Sequence, residues 1–116
     1  MPKSGASCNG RPPSKPRSIT SWGSPSEATI RQQLVKAIIK RWPTAWVYHP
    51  SDRFQSGIPD LLICVPPHGL FLAIEVKRPG LRAEPIQAVI LTRIRRAGGR
   101  AWVLCSPKEL LHVELP

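Results

Sequence analysis

Gly57-Ile58-Pro59-Asp60-Leu61-Leu62-Ile63-Cys64-Val65, followed after Pro66-Pro67-His68-Gly69 by Leu70-Phe71-Leu72-Ala73-Ile74-Glu75-Val76-Lys77, is the stretch that decides the fold. Its two apolar runs flank a segment whose prolines and glycine mark a turn, so they are expected to pair as antiparallel strands over about 60–65 and 70–77. An unpaired buried charge is very costly, so strands this apolar reserve charged groups for their ends. Asp60, Glu75 and Lys77 stand at ends that the hairpin brings together. Side chains alternate across a strand, which puts Glu75 and Lys77 on one face and Ile74 and Val76 on the other. Two carboxylates and an ammonium converging there suit a hard divalent cation.

Working outward, Ser24-Pro25-Ser26-Glu27 opens a helix that runs to Arg41 or Trp42, where Pro43 stops it. Ile30, Leu34 and Ile38 form its inward stripe, helped by Val35 and Ile39. A short strand is expected at Ala45–His49, then a polar loop over 50–58. Beyond the hairpin, Arg78-Pro79-Gly80 breaks the chain. A helix over 85–97 follows, with Pro85 at its first position and Ile86, Ile90 and Ile94 inward. Gly98-Gly99 ends it, and Ala101–Cys105 reads as a strand. Ser106-Pro107-Lys108-Glu109 has the capping-box pattern of a short terminal helix. The order αβββαβα, with a helix between the third and fourth strands, implies a mixed sheet containing a crossover.

The 116 residues are one domain's worth, and a hydrophobic fraction of 41% suits a folded globule. Lys and Arg number 17 against 7 acids, a net +10 that points to a polyanionic partner, most simply nucleic acid. Residues 1–23 read as a flexible tail rich in Pro and Ser, holding Lys3, Arg11, Lys15 and Arg17 and no acid. The remaining domain, 24–116, still carries excess positive charge. Cys8, Cys64 and Cys105 lack metal-ligand spacing, so buried free thiols in a reducing compartment are the default and zinc is not expected. No apolar run has membrane-spanning length or the form of a signal peptide, which points to the cytoplasm.

The ordered set of a helical Glu27, Pro59-Asp60, Glu75-Val76-Lys77 and a helical Gln87 resembles the PD-(D/E)xK nuclease superfamily. The run Glu75-Val76-Lys77-Arg78-Pro79-Gly80, with Pro85-Ile86-Gln87 beyond it, looks most like the VRR-NUC branch, including small stand-alone phage and bacterial members. The likeness covers about residues 24–112. It implies a restriction-endonuclease-like α/β domain with a four-stranded αβββαβ core, in a bacterial or phage-infected host cell. It further implies a metal-dependent endonuclease leaving 3′-OH and 5′-phosphate ends, acting as a homodimer on branched, Holliday-junction-like DNA.

Carried over by position, the resemblance makes Asp60 and Glu75 the central ligands of Mg²⁺ (Mn²⁺ as substitute), with the Val76 carbonyl completing the protein's share. It gives Lys77 the task of orienting water or neutralising phosphate charge, places Gln87 near the active site, and often brings a helical glutamate, here Glu27, to the metal.

The residues themselves leave alternatives open. Glu75 and Lys77 can be a solvated pair, Asp60 a turn cap, and Glu27 the far end of a capping box from Ser24. Gln87, in a first helical turn where phosphate is attracted, can equally be an ordinary surface residue. Arg78, Arg82, Arg93, Arg96 and Arg100 are candidates for phosphate contacts or a solvated basic face. His49, at a strand end, has a place near the metal as one reading, against the more frequent one that an isolated histidine is structural or exposed. Trp42, Trp46 and Trp102 look like core residues, and Trp22, in the tail, can also stack on bases. Two further readings compete with a DNA nuclease: a non-catalytic basic binding module, and a nuclease of the same fold acting on RNA or on one duplex sequence.

Overall fold

The computed structural model describes residues 25–51 and 56–115, so the expected tail lies outside the described residues. Helix α1 spans Glu27–Arg41, and its cap is Ser26, whose side chain accepts from the Thr29 N–H at 3.1 Å. The helix therefore starts two residues later than the Ser24 box requires. Glu27 takes its first position rather than the third, from which a capping-box carboxylate reaches back. Ile30, Leu34 and Ile38 are buried as their spacing demands, whereas Ile39 is exposed.

The strands are β1 (Trp46–Tyr48), β2 (Leu61–Val65), β3 (Leu70–Val76) and β4 (Arg100–Leu104), in spatial order β1-β2-β3-β4. The first two pairings are antiparallel and β3–β4 is parallel, the crossover being made by α2 (Pro85–Arg96). Gly69, at φ 75°, closes the β2–β3 turn with its N–H on the Val65 carbonyl.

Each sheet face has its own core. On one, Leu61, Ile63, Val65, Leu72, Ile74, Val76 and Leu104 pack with the α1 stripe and with Leu110 and Val113. On the other, Ala73, Ala101 and Val103 meet Leu91 of α2, with Leu62 and Ile94 alongside. Strand alternation assigns Glu75 and Lys77 to this second face.

The buried stripe of α2 differs from the expected isoleucine stripe. Leu91 is buried, Gln87 and Ile94 are half-buried, and Ile86 is exposed at 45%. The helix is rotated so that the row 87-91-94 faces the sheet, which turns Gln87 inward.

The C-terminal element, Pro107–His112, is a 3₁₀ helix rather than an α-helix, and the Ser106 side chain does not cap it. Glu109 instead accepts from the Cys105 N–H at 2.8 Å. Arg41 ties this element to α1, donating to the carbonyls of Leu110 (2.7 Å) and Val113 (3.1 Å).

The cysteine expectation fails in two ways: Cys64 is exposed, and Cys105 is half-buried and disulfide-bonded. Trp46 was expected in the core but is 60% exposed, stacked on Tyr48 with ring centroids 5.6 Å apart. Among the described residues no helix is long and apolar enough to cross a membrane.

Candidate functional site

The β2–β3 register pairs Leu61 with Ile74, which makes Asp60 and Glu75 the next opposed residues at the sheet end. Asp60 Oδ2 accepts from the Val76 N–H at 2.8 Å, so its carboxylate lies against β3 between Glu75 and Lys77. Its backbone carbonyl is engaged too: His49 Nδ1 lies 2.9 Å from it. A carbonyl only accepts, so Nδ1 carries the hydrogen.

Glu75 is 2% exposed. Its Oε2 accepts from Gln87 Nε2 at 2.9 Å and lies 3.7 Å from Lys77 Nζ. Its Oε1 is buried and accepts from no donor, the bond open to it being a proton shared with Asp60. Gln87 is held at its other end, where Oε1 accepts from the Glu84 N–H at 2.8 Å, a bond that also caps α2. One amide thus joins the start of α2 to the central carboxylate.

Burial, followed by the charge of Asp60, pushes the Glu75 carboxyl up to about 8; Lys77 opposes the rise, while a hydrogen bond shared with Asp60 and the more distant charge of Glu27 add to it. The metal-free site therefore holds a proton near neutrality, on a carboxyl whose other satisfactory partner would be a cation.

Two carboxylates with an unsatisfied oxygen between them fit a hard divalent ion. Among the described residues no three His, Cys, Asp or Glu side chains cluster closely enough to bind a metal. The donors such an ion would find here are Asp60, Glu75 and neighbouring backbone, with Glu27 near enough to act on Glu75 electrostatically but outside a three-side-chain set. A hexacoordinate ion such as Mg²⁺ habitually keeps several waters, so this sparse set suits it.

The basic candidates divide. Arg78 and Arg82 lie in the connection just after Lys77, beside the site in sequence. Arg93 and Arg96 are six and nine residues beyond Gln87, about 9 and 13 Å along the α2 axis. Arg100 pairs with Leu72, three residues (about 10 Å) short of the level of Glu75, and points to the opposite face. The structure does not bring these last three to the carboxylates. Arg95 staples α2 to β4 through the Ala101 carbonyl (3.1 and 2.7 Å), and burial lowers its pKa.

Sequence reading missed the bond between His49 and Asp60. Its signal was the position of His49 at the end of a strand paired with the one that Asp60 opens. Also missed was the exposed aromatic face of β1, for which the polar-side alternation of Trp46 and Tyr48 about Val47 was the available sign.

A mixed sheet between helices, with opposed carboxylates and a lysine at one sheet end, defines the PD-(D/E)xK class of α/β domain. The VRR-NUC domain model matches residues 8–107, and the chain belongs to that family, part of the PD-(D/E)xK superfamily. A solved structure titled "VRR_NUC domain" is similar at 27% identity and TM-score 0.58, over 70% of this chain and 89% of that one. No curated protein matches the chain. The family makes this a nuclease-type domain with nucleic acid as its substrate.

Proposed function

We propose that this chain is a Mg²⁺-dependent DNA endonuclease, selective for branched DNA and active as a homodimer. The observation that carries the reading is the buried Oε1 of Glu75, beside Asp60 and accepting from no donor, with Gln87 and Lys77 on the other Glu75 oxygen. Asp60, Glu75 and the Val76 carbonyl would hold the ion. When bound, it supplies Lewis-acid stabilisation of a phosphate oxygen and a more acidic water.

The remaining residues prepare that site. The Val76 N–H fixes one Asp60 oxygen, which leaves the other for the ion. Gln87 fixes Oε2 of Glu75 and leaves Oε1 for the ion. Lys77, a residue only 8% exposed, supplies an ammonium to meet charge developing on the phosphate. Glu27 adds negative potential at the edge of the site, where it favours a cation or a second water shell around one.

Two features support the finer parts of the reading. No element among the described residues is a reader helix free to enter a major groove, which favours shape over base sequence as the basis of selection. The sheet face that carries the carboxylates also carries Trp46, Tyr48, Cys64 and Phe71, exposed and uncharged, as a subunit contact requires. A basic binding module without catalysis is disfavoured, because two carboxylates would repel the phosphates it binds.

Cleavage of a labelled panel (four-way junction, splayed arm, single strand, plain duplex, RNA) in Mg²⁺, Mn²⁺ or EDTA tests the reading. Metal-dependent junction cutting that is lost in Asp60→Ala and Lys77→Ala is the expected result. Binding without cutting under every metal would sink it.

A further inference from the structure

Three of the five arginines picked out by sequence stand away from the carboxylates, which leaves open where the substrate's phosphates are held. A groove of about 450 Å³ between α1 and the β1 end answers this, lined by Arg31, Gln32, Val35, Lys36 and His49. Among the described residues its lining has two cations, an imidazole and an amide, and no carboxylate. Neither Arg31 nor Lys36 forms an ion pair; among the described residues that contact occurs at Lys77–Glu75 alone. A basic groove with its cations unspent is matched to a polyanion.

Two connections join it to the site. Arg31 stands four residues beyond Glu27, directly above it on the helix surface, so the groove starts where the Glu27 charge reaches Glu75. His49, at the groove's wall, bonds the Asp60 carbonyl at 2.9 Å. From Arg31 to Lys36 the helix rises about 7–8 Å, far enough for the two cations to meet different phosphates.

We infer that this groove is a nucleic-acid backbone site that feeds one strand into the Asp60–Glu75 centre. Arg31 and Lys36 hold phosphates flanking the one that reacts, and His49 stands between groove and centre. The inference rests on the nuclease reading, since it concerns the substrate of that same site, but it assigns residues that the motif does not contain. Phosphate contacts of this kind set register and orientation and read no sequence.

The test is binding of a fluorescein-labelled splayed-arm DNA in Ca²⁺, as a function of NaCl, by the full chain. Arg31→Gln/Lys36→Gln is compared with wild type and with Lys108→Gln, an exposed charge outside the groove. Each phosphate contact contributes about 0.7–0.9 to the slope of log K against log salt. The double variant is expected to lose about 1.4–1.8 of slope, to bind at least tenfold more weakly at low salt, and to keep the wild-type melting temperature. Below saturating protein it should cleave more slowly in step with its lost affinity, and Lys108→Gln, outside the groove, should follow wild type in both binding and cleavage. Parallel salt lines for wild type and double variant would overturn the groove while leaving the nuclease reading intact. A loss of single-turnover rate at unchanged affinity would overturn it too, by assigning the residues to the chemistry. Should the wild type bind no DNA, both readings fall together.

Discussion

Adding Mg²⁺ to the metal-free protein at pH 7 should release close to one proton. With the Glu75 carboxyl at about 8, roughly 0.9 of the molecules are protonated there, and the ion can use the buried Oε1 only after the proton leaves. Release should fall to about 0.1 proton at pH 9, and apparent affinity should climb nearly tenfold per pH unit below 8 before levelling off. Calorimetric titration in two buffers of different ionisation enthalpy measures the release directly, and Glu75→Gln should abolish it. Linkage gives an independent reading. The folded-state value lies above the ordinary 4.5, so the folded chain keeps a proton that the unfolded chain surrenders. The stability this contributes is complete below about pH 4.5 and disappears as pH rises through about 8. After allowance for coupling to Asp60 it is about 1–3 kcal/mol. The melting temperature of the metal-free protein should therefore fall across that window, and Mg²⁺ should flatten the fall. Titrations at pH 7 that bind Mg²⁺ with under about 0.2 proton released would refute the picture of a protonated pair awaiting a cation.

Other substitutions probe separate parts of the architecture. Gln87→Ala removes a helix cap and a donor to Glu75 in one step; urea melts should show a loss of about 1–3 kcal/mol, with proton release at pH 7 moving closer to one. Gly57→Ala should cost about 1–3 kcal/mol in the same melts. Gly57 sits at φ 85°, and an added Cβ would meet Ile86 Cγ1 at 2.9 Å and the Ile86 carbonyl oxygen at 3.0 Å. Leu34→Ala, at a position with no exposure, should cost about 2–5 kcal/mol and serve as the benchmark for a pure packing defect. Trp46→Ser combined with Tyr48→Ser should leave stability within about 1 kcal/mol, because both rings are exposed. The same pair should shift sedimentation toward the monomer, and a dimer that persists unchanged would place the subunit contact elsewhere.

The hairpin was legible because its signals agree: apolar runs, a proline–glycine turn and charges confined to the ends all require one register. That register alone sets Asp60 opposite Glu75. The α1 core stripe was legible for the same reason, since Ile30, Leu34 and Ile38 admit one inward face. The α2 stripe was harder. Ile86, Ile90 and Ile94 and the row 87-91-94 have similar spacing, and the choice between them was made by the bond from Gln87 to a buried carboxylate on another element. Pairwise patterns within a helix carry no trace of such a partner. The competing role for Glu27 turned on which serine caps the helix, Ser24 or Ser26, a choice decided by backbone geometry at Pro25-Ser26 rather than by residue type. The exposure of Trp46 depends on how far α2 extends across its sheet face, which only the assembled layers show.

A side-chain amide can ordinarily be turned end for end with little penalty, but Gln87 has lost that freedom. Its oxygen is committed to the Glu84 N–H, so its nitrogen must present hydrogens to Glu75. Glu75 Oε2 is thereby required to be an acceptor, and any proton the carboxyl carries is directed to Oε1, the atom an ion would claim. The polarity of one helix turn thus dictates which oxygen exchanges a proton for a metal. Fraying of that turn, or a substitution at Glu84 or Pro85 that never touches the carboxylates, would let the amide invert and blur the distinction between the two oxygens. The outermost turn of α2 therefore acts on the site as a latch, and exchange protection of the Gln87 and Ala88 amides is an indirect gauge of how well the centre is poised.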